Sequence, residues 1–323
     1  MKNLTQKLAP WRKWLFIIIT FVLVQLLVQV GIINDYLQAT IATICINIIL
    51  AVSLNLITGF TGQFSLGHAG FMSIGAYVCG LTLLRMPTIW GYLASIVMGA
   101  LLAAVVGFVV GLPTLRLRGD YLAIATLGMS EIIRIIFINL EITNGAAGLS
   151  GIPRFTNWVF LYIFTVGTVL LISNFLKSTH GRACISIRED EIAAEAMGIN
   201  STRYKVTAFT IGSLCAGIAG VLYAAYFYYL NPNTFGFLKS IDVLVIVVLG
   251  GMGSLSGSVL AAILLAIIST ILQDFSDLRM IIYALLLVII MIFRPQGLMG
   301  SKEISMKVFR NLGGLWPARK GEK

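Results

Sequence analysis

Charged residues are scarce in this chain. Of its 323 residues, 11% are Asp, Glu, Lys or Arg, whereas a soluble domain carries about 25%. No charged residue occurs from Tyr36 to Leu84 or from Met86 to Leu115. A membrane-spanning helix needs roughly 20 mostly apolar residues, so these stretches hold about two spans and one span. The scarcity argues against a soluble domain and indicates an all-α, polytopic integral membrane protein.

Residues and motifs that enzymes commonly use are also few. The chain has two histidines, His68 and His180, so metal or acid–base catalysis has little to act with. No glycine-rich phosphate loop, nucleophile elbow or metal-ligand spacing occurs in the sequence. We therefore expect the chain to be a non-enzymatic protein with no catalytic residue, metal site or cofactor of its own. The cysteines are interpreted as small packing residues: Cys45, Cys79, Cys184 and Cys215.

Positive charge is concentrated rather than spread along the chain, although the net charge is +10. Lys and Arg collect on the cytoplasmic side of membrane proteins. Their grouping therefore indicates membrane topology and argues against nucleic acid as a partner. Most of the 23 Lys and Arg residues lie before Trp14, at Arg116 and Arg118, between Lys177 and Lys205, and from Arg294 onward.

Hydropathy and helix breakers predict about ten transmembrane helices. Ten spans place every basic cluster inside, with both termini of this multi-pass membrane protein cytoplasmic. The first apolar run lacks a cleavage site and is interpreted as a retained span rather than a signal peptide. Residues 240–252 are too short to cross alone, so they either complete a span or re-enter the bundle. The predicted spans are 14–33, 37–57, 63–84, 88–112, 120–140, 156–177, 204–229, 240–252, 256–273 and 279–293.

We expect two domains. Residues 1–300 form a transmembrane domain with a cytoplasmic loop at about 180–200. Residues 301–323 form a basic cytoplasmic tail, with scattered apolar residues, on the inner membrane surface. Membrane lipid is therefore an expected partner.

One pair of charges interrupts the fifth predicted span. Glu131 and Arg134 are three residues apart, which places them on one face of a helix. Each charge costs on the order of 2.5–3.5 kcal/mol at a bilayer centre, and pairing lowers that cost. The pair is either a structural ion pair or part of a polar translocation path.

The segment GQFSLGHAGFMSIGAY (62–77) is apolar but rich in small residues. In a helical reading its small residues recur at intervals of three and four, which favours close helix packing in lipid. Gln63, Ser65 and His68 are polar groups near a helix start and are candidates for a translocation path. A hydrogen bond from His68 to a neighbouring helix is the alternative. The predicted packing stripe contains Gly62, Ser65, Ala69, Ser73, Ala76 and Gly80.

The cytoplasmic loop HGRACISIREDEIAAEAMGIN (180–200) predicts a short amphipathic helix. Ile192, Ala196 and Ile199 form an apolar stripe at helical spacing, flanked by acidic residues. Such a helix is either a solvated connector or a docking surface for a partner protein.

Two short segments share a glycine- and serine-rich composition. TGFTGQFSLG (58–67) and LGGMGSLSGS (249–258) each join two predicted spans. They are either a weak internal repeat or two independent tight turns.

Several of these segments resemble one known family. The segments that carry the resemblance are the 180–200 loop with its following span, NLITGFTGQFSLGHAGFMSIGAY, GAAGLSGIP, VVLGGMGSLSGSVLAAI and FRPQGLMG. Together they are similar to permease subunits of branched-chain amino-acid ABC importers, the LivM-type branch. The resemblance runs in the family's order from about residue 40 to 300. The fifth span departs from the family pattern at Leu122 and at Gly128 to Ser130.

The resemblance implies an ABC importer permease bundle for leucine, isoleucine and valine. It also implies a location in the bacterial inner membrane. The partners it implies are a second, related permease subunit, two ATP-binding subunits that hold the ATP, and a periplasmic or surface substrate-binding protein. Urea and short-chain amide permeases share the signature and are the alternative; an ATP-independent secondary transporter is a further one. A purely structural scaffold would explain the small residues but not the docking loop. The residues implied in coupling to the ATPase are Arg188, Glu191, Glu195, Ala196 and Gly198.

Overall fold

The protein is described by a computed structural model of residues 9–29, 34–115, 117, 119–271, 282, 285, 288 and 297–300. These residues form an all-α bundle, as predicted. The helices are α1 (Ala9–Gln29), α2 (Asp35–Asn55), α3 (His68–Arg85), α4 (Ile89–Thr114), α5 (Asp120–Asn139), α6 (Trp158–Lys177), α7 (Thr179–Glu189), α8 (Glu191–Ala196), α9 (Ser201–Phe227), α10 (Phe237–Gly250) and α11 (Leu255–Ile271).

Short elements close the two ends of the bundle. The α2 helix continues into one turn of π-helix, Leu56–Phe60, and 3₁₀ turns cover Glu141–Thr143, Gly145–Ala147 and Pro232–Phe235. Two strands, β1 (Leu149–Ser150) and β2 (Tyr229–Leu230), pair antiparallel, with Leu149 opposite Leu230. The segment after α5 is thus tied to the end of α9.

Within the described residues, six helical segments are long and apolar enough to cross a membrane. The polytopic membrane architecture is confirmed, but a count of ten spans is not. The predicted span 279–293 and the tail 301–323 lie outside the fully described residues, as do Arg116 and Arg118. The six segments are Asp35–Phe60, Ile89–Thr114, Asp120–Asn139, Trp158–Lys177, Ser201–Phe227 and Pro232–Gly250.

The centre of the bundle is a close three-helix contact of α3, α4 and α9. A Cβ at Gly75 of α3 would lie 2.0 Å from the carbonyl oxygen of Gly217 on α9, and a Cβ at Gly217 would lie 2.8 Å from the carbonyl oxygen of Gly99 on α4. Backbone meets backbone at these points, which is the packing that small residues permit in lipid.

The prediction of a helix from residue 63 is wrong for its first turn. The chain is non-helical between Thr61 and Gly67, and α3 begins at His68. Gly62 has φ of +72°, a left-handed conformation that glycine adopts without strain. The Gln63 N–H donates to the Ile57 carbonyl in a local turn, and the Leu66 N–H donates to Thr126 Oγ1 on α5, so other partners replace the helical ones. Gly62 and Ser65 are therefore not on the helical packing stripe.

Residues 240–250 belong to a longer helical segment, whereas Gly251 and Met252 lie beyond its end. The α10 helix begins at Phe237 and ends at Gly250, at the predicted glycine break. The 3₁₀ turn Pro232–Phe235 precedes it, and the two together reach the length of a span. A left-handed Gly251, φ +110°, then turns the chain towards α11.

Candidate functional site

The loop predicted as one amphipathic helix is two helices. Asp190 breaks the helix, since its side chain accepts hydrogen bonds from the N–H groups of Ile192 and Ala193 (2.9 and 3.0 Å). This is an N-cap, which fixes where α8 starts. Ser178 caps α7 in the same way by accepting from the Gly181 N–H at 3.3 Å. The α7–α8 segment (Thr179–Ala196) is therefore locally specified by its sequence.

Polar contacts attach the α7–α8 segment to the start of α9. Lys205 Nζ lies 2.7 Å from a carboxylate oxygen of Glu191, and Ser201 Oγ donates to the carboxylate of Glu195. Cys184 is fully buried nearby, and burial raises the pKa of its thiol to about 11. Glu191 and Glu195 thus have structural partners within the chain.

The outer face of α8 is apolar and uncovered. Ile192 is 74% exposed and Met197 is 83% exposed, and Ala196 lies exposed between them. Gly198 follows with φ of +83° and open space around it. The helical-stripe reading missed Met197 because the spacing from Ile192 to Ala196 and Ile199 passes over position 197, which directly follows the end of the helix. Ile199, which that reading included, is only partly exposed.

Arg188, near the end of α7, reaches into the bundle. Its Nη1 donates to the carbonyl oxygen of Gly59 in the π-helical turn at 2.7 Å. Its Nη2 lies 2.6 Å from a carboxylate oxygen of Glu189, which balances its charge. A cavity of about 360 Å³ lies beside this contact, lined by Thr58, Gly59, Gly62, Phe64, Arg188 and Met252.

The polar residues at the start of α3 are buried. His68 is 1% exposed, and its Nε2 lies 2.7 Å from Ser53 Oγ on α2. Its other ring nitrogen, Nδ1, has no hydrogen-bond partner among the described residues. Both amide atoms of Gln63 also lack a partner there, whereas Ser65 Oγ accepts from the Gly67 N–H at 3.5 Å. Buried polar atoms without partners are uncommon and call for a role such as binding water or a ligand.

Side chains from α5 and α10 complete this polar region. Thr126 Oγ1 accepts from Leu66 N–H at 3.1 Å, and Ser240 Oγ accepts from Ala69 N–H at 3.2 Å. Ser130 is buried and packs against Gly70, and its hydroxyl has no hydrogen-bond partner in the part of the chain that the structure describes. Serine and threonine in an apolar helix carry no distinctive sequence signal, so sequence reasoning did not select these residues.

Glu131 and Arg134 form an ion pair on α5. Arg134 Nε lies 2.7 Å from Glu131 Oε2, and both side chains are about a quarter exposed, at 28% for Glu131 and 25% for Arg134. Arg134 Nη1 also donates to Asn233 Oδ1 at 2.9 Å, which ties α5 to the turn before α10. No hydrogen bond or ion pair in the described part of the chain joins this pair to Gln63, Ser65 or His68.

The small residues predicted for packing face different neighbours. Ala76 is fully buried, and its N–H lies 2.8 Å from where a Cβ at Gly220 of α9 would be. Gly80 faces the antiparallel β1–β2 pair through Leu149 and Leu230. Ser73 is buried and donates to the Gly70 carbonyl within α3. The close backbone approach at Gly75 lies outside the predicted stripe.

The comparisons with known proteins agree with one another. The family model described as the branched-chain amino acid transport system permease component matches residues 36–292. The chain is 40% identical to the high-affinity branched-chain amino acid transport system permease protein LivM of Salmonella typhimurium, over 81% of this chain and 70% of that protein. The LivM protein of Escherichia coli is likewise 40% identical over the same shares.

A second type of permease protein is also similar. The chain is 24% identical to the high-affinity branched-chain amino acid transport system permease protein LivH of Salmonella typhimurium, over 79% of this chain and 92% of that protein. No solved structure matches the chain.

Proposed function

The chain belongs to the branched-chain amino acid transport permease family, and from that membership we propose that it is a membrane-spanning permease subunit of an ATP-driven importer. Its substrates are leucine, isoleucine and valine. The observation that carries this proposal is the 40% identity to LivM proteins over 81% of the chain. The bundle supplies the membrane path, while ATP is bound and hydrolysed by separate subunits.

The α8 surface supports docking of an ATP-binding subunit. Ile192 and Met197 are large apolar residues that are 74% and 83% exposed. Exposed apolar side chains on a short, capped helix suit insertion into a groove of a partner protein. The contacts of Glu191 and Glu195 with α9 would transmit force from this surface into the bundle.

A second permease subunit is the expected partner within the membrane. The chain is similar to both LivM and LivH proteins, which carry the names of permease proteins of one transport system. We expect a pseudo-symmetric pair of related bundles, two ATP-binding subunits beneath it and a substrate-binding protein on the opposite side. The pair resides in the bacterial inner membrane, with the basic clusters and both termini in the cytoplasm.

The path for substrate is proposed to pass the start of α3. Gln63 and His68 carry buried polar atoms without partners in the described residues. An amino acid needs donors and acceptors along its route, and these groups could exchange their missing hydrogen bonds with it. Glu131 and Arg134 are proposed to border the same route near the turn before α10.

Transport by a reconstituted complex tests the proposal. The chain is co-expressed with its neighbouring permease, ATP-binding and substrate-binding genes, and the purified complex is placed in liposomes. Uptake of labelled leucine, isoleucine or valine is then measured with ATP or a non-hydrolysable analogue on the cytoplasmic side. We expect uptake only with hydrolysable ATP and binding protein.

Two outcomes would contradict the proposal. Uptake driven by an ion gradient without ATP would indicate a secondary transporter. ATP-driven uptake of urea or short-chain amides, without uptake of branched-chain amino acids, would assign a different substrate to the same machinery. Unlabelled valine and urea as competitors separate these cases in one assay.

A further inference from the structure

The two glycine-rich segments that resemble each other in sequence meet in space. The first glycine turn (58–62) follows α2, and the second glycine turn (251–254) joins α10 to α11. A Cβ at Gly59 would lie 2.4 Å from the backbone nitrogen of Gly253. Backbone therefore packs directly on backbone, with no room for a side chain between the turns.

Asn55, the last residue of α2, binds the second glycine turn with its whole side chain. Its Oδ1 accepts from the Gly253 N–H at 2.9 Å. Its Nδ2 donates to the Ser254 carbonyl at 2.9 Å and to Ser258 Oγ at 2.7 Å. Asn55 is fully buried, so no water competes for these bonds, and an amide has two donors and an acceptor that are all used here.

Arg188 of α7 contacts both turns at the same place. Its Nη1 donates to the Gly59 carbonyl oxygen at 2.7 Å. The same Nη1 lies 2.5 Å from where a Cβ at Gly253 would be. A Cβ at Gly62 would lie 3.1 Å from Arg188 Cγ. The guanidinium group thus lies in a notch that the glycines leave open.

These contacts form a continuous chain from the α7–α8 segment to the end of α2 and the start of α11. Arg188 is hydrogen-bonded to the first turn. Asn55 directly precedes that turn in the chain and is hydrogen-bonded to the second turn, just before α11. The π-helical geometry of Leu56–Phe60 belongs to this junction, and π-helical turns often occur at functional sites.

We propose that Asn55 is a positioning residue for the transport cycle: it makes the two glycine turns move as one unit when the α7–α8 segment moves Arg188. This inference rests on the proposed coupling of the α7–α8 segment to an ATP-binding subunit. Without the Asn55 side chain, Arg188 would still move the first turn, but α11 would no longer follow it. ATP hydrolysis would then continue with less substrate carried per ATP.

The test is the ratio of ATP hydrolysed to substrate taken up by the reconstituted complex. Asn55→Ala removes three buried hydrogen bonds, and we expect the ratio to rise by about tenfold or more, with ATP hydrolysis within about twofold of the unsubstituted complex. Ser258→Ala removes one of the three bonds, and we expect a smaller rise of about two- to threefold.

Asn47 provides a matched control on the same helix. Its Oδ1 accepts from Lys239 Nζ at 3.3 Å, away from both glycine turns. Asn47→Ala should therefore leave the ratio unchanged. A general loss of folded complex would lower ATP hydrolysis and uptake together in all variants, whereas loss of positioning changes their ratio.

The outcomes separate this inference from the proposed function. If the unsubstituted complex shows no ATP-driven uptake, the proposed function fails. If it transports normally and neither Asn55→Ala nor Ser258→Ala raises the ratio, the positioning role of Asn55 is refuted. Since Ser258→Ala deletes a single hydroxyl, it decides the question even where Asn55→Ala fails to assemble.

Discussion

The close contact between α3 and α9 makes a sharp prediction for Gly75→Ala. The new Cβ would lie 2.0 Å from the carbonyl oxygen of Gly217 and 2.7 Å from its carbonyl carbon. Ordinary contact begins at 3.4 Å, so the gap at this point must widen by about 1.4 Å. Both atoms are backbone, and no side-chain rotation can relieve the overlap.

The expected cost follows from two opposing effects. Overpacking a well-packed contact costs about 1–3 kcal/mol, and the rigid backbone neighbours place this site at the upper end. The greater helix propensity of Ala returns up to about 1 kcal/mol. We therefore expect Gly75→Ala to destabilise the folded chain by about 2 kcal/mol.

Gly167→Ala is the matched control, because Gly167 lies within α6 and a Cβ there would meet nothing within 4 Å. This variant gains helix propensity without overlap and should be neutral or slightly stabilising. Thermal unfolding in detergent can be followed with a thiol-reactive dye, since all four cysteines are free and buried. A Gly75→Ala midpoint equal to or above that of Gly167→Ala would refute the packing argument.

Three further predictions follow from other parts of the structure. Cys184 should resist alkylation at pH 8 until the protein unfolds, because burial raises the pKa of its thiol to about 11 and blocks access of the reagent. Mass spectrometry of native and denatured samples measures this, and labelling of Cys184 in the native sample would contradict it. Arg134→Gln should have a lower thermal unfolding midpoint than the double variant Arg134→Gln with Glu131→Gln, because the single change leaves the Glu131 carboxylate without its cation. A lower midpoint for the double variant would refute the ion-pair argument. Met197→Asp should reduce ATP-driven uptake while leaving the unfolding midpoint within error, because the side chain is 83% exposed; normal uptake would remove this residue from the docking surface.

Local sequence signals predicted the helices that are long and apolar. The charge-free runs gave α2 and α4 to within a few residues, because a continuous apolar segment in lipid must satisfy its backbone as a helix. The i, i+3 spacing of Glu131 and Arg134 likewise placed them on one helix face, where they contact each other. These features depend on neighbouring residues in the chain and not on distant contacts.

Where distant residues supply hydrogen bonds, local signals failed. The turn at residues 62–67 was predicted as helix because its residues are apolar and small. Thr126 on another helix bonds the Leu66 N–H instead. The break at Asp190 is a different case, because its N-cap bonds are local. It was missed since the surrounding residues continue a helical pattern on both sides.

Composition and charge placement alone established an all-α membrane protein, and the segments from residue 40 to 300 carried the resemblance to the branched-chain amino-acid permeases. Tertiary structure alone decided which glycines touch, that Arg188 reaches Gly59, and that Asn55 joins two turns about two hundred positions apart in the chain. The physical reason is the range of the interactions. Hydropathy is a sum over adjacent residues, whereas a hydrogen bond between distant segments exists only after the helices between them have packed.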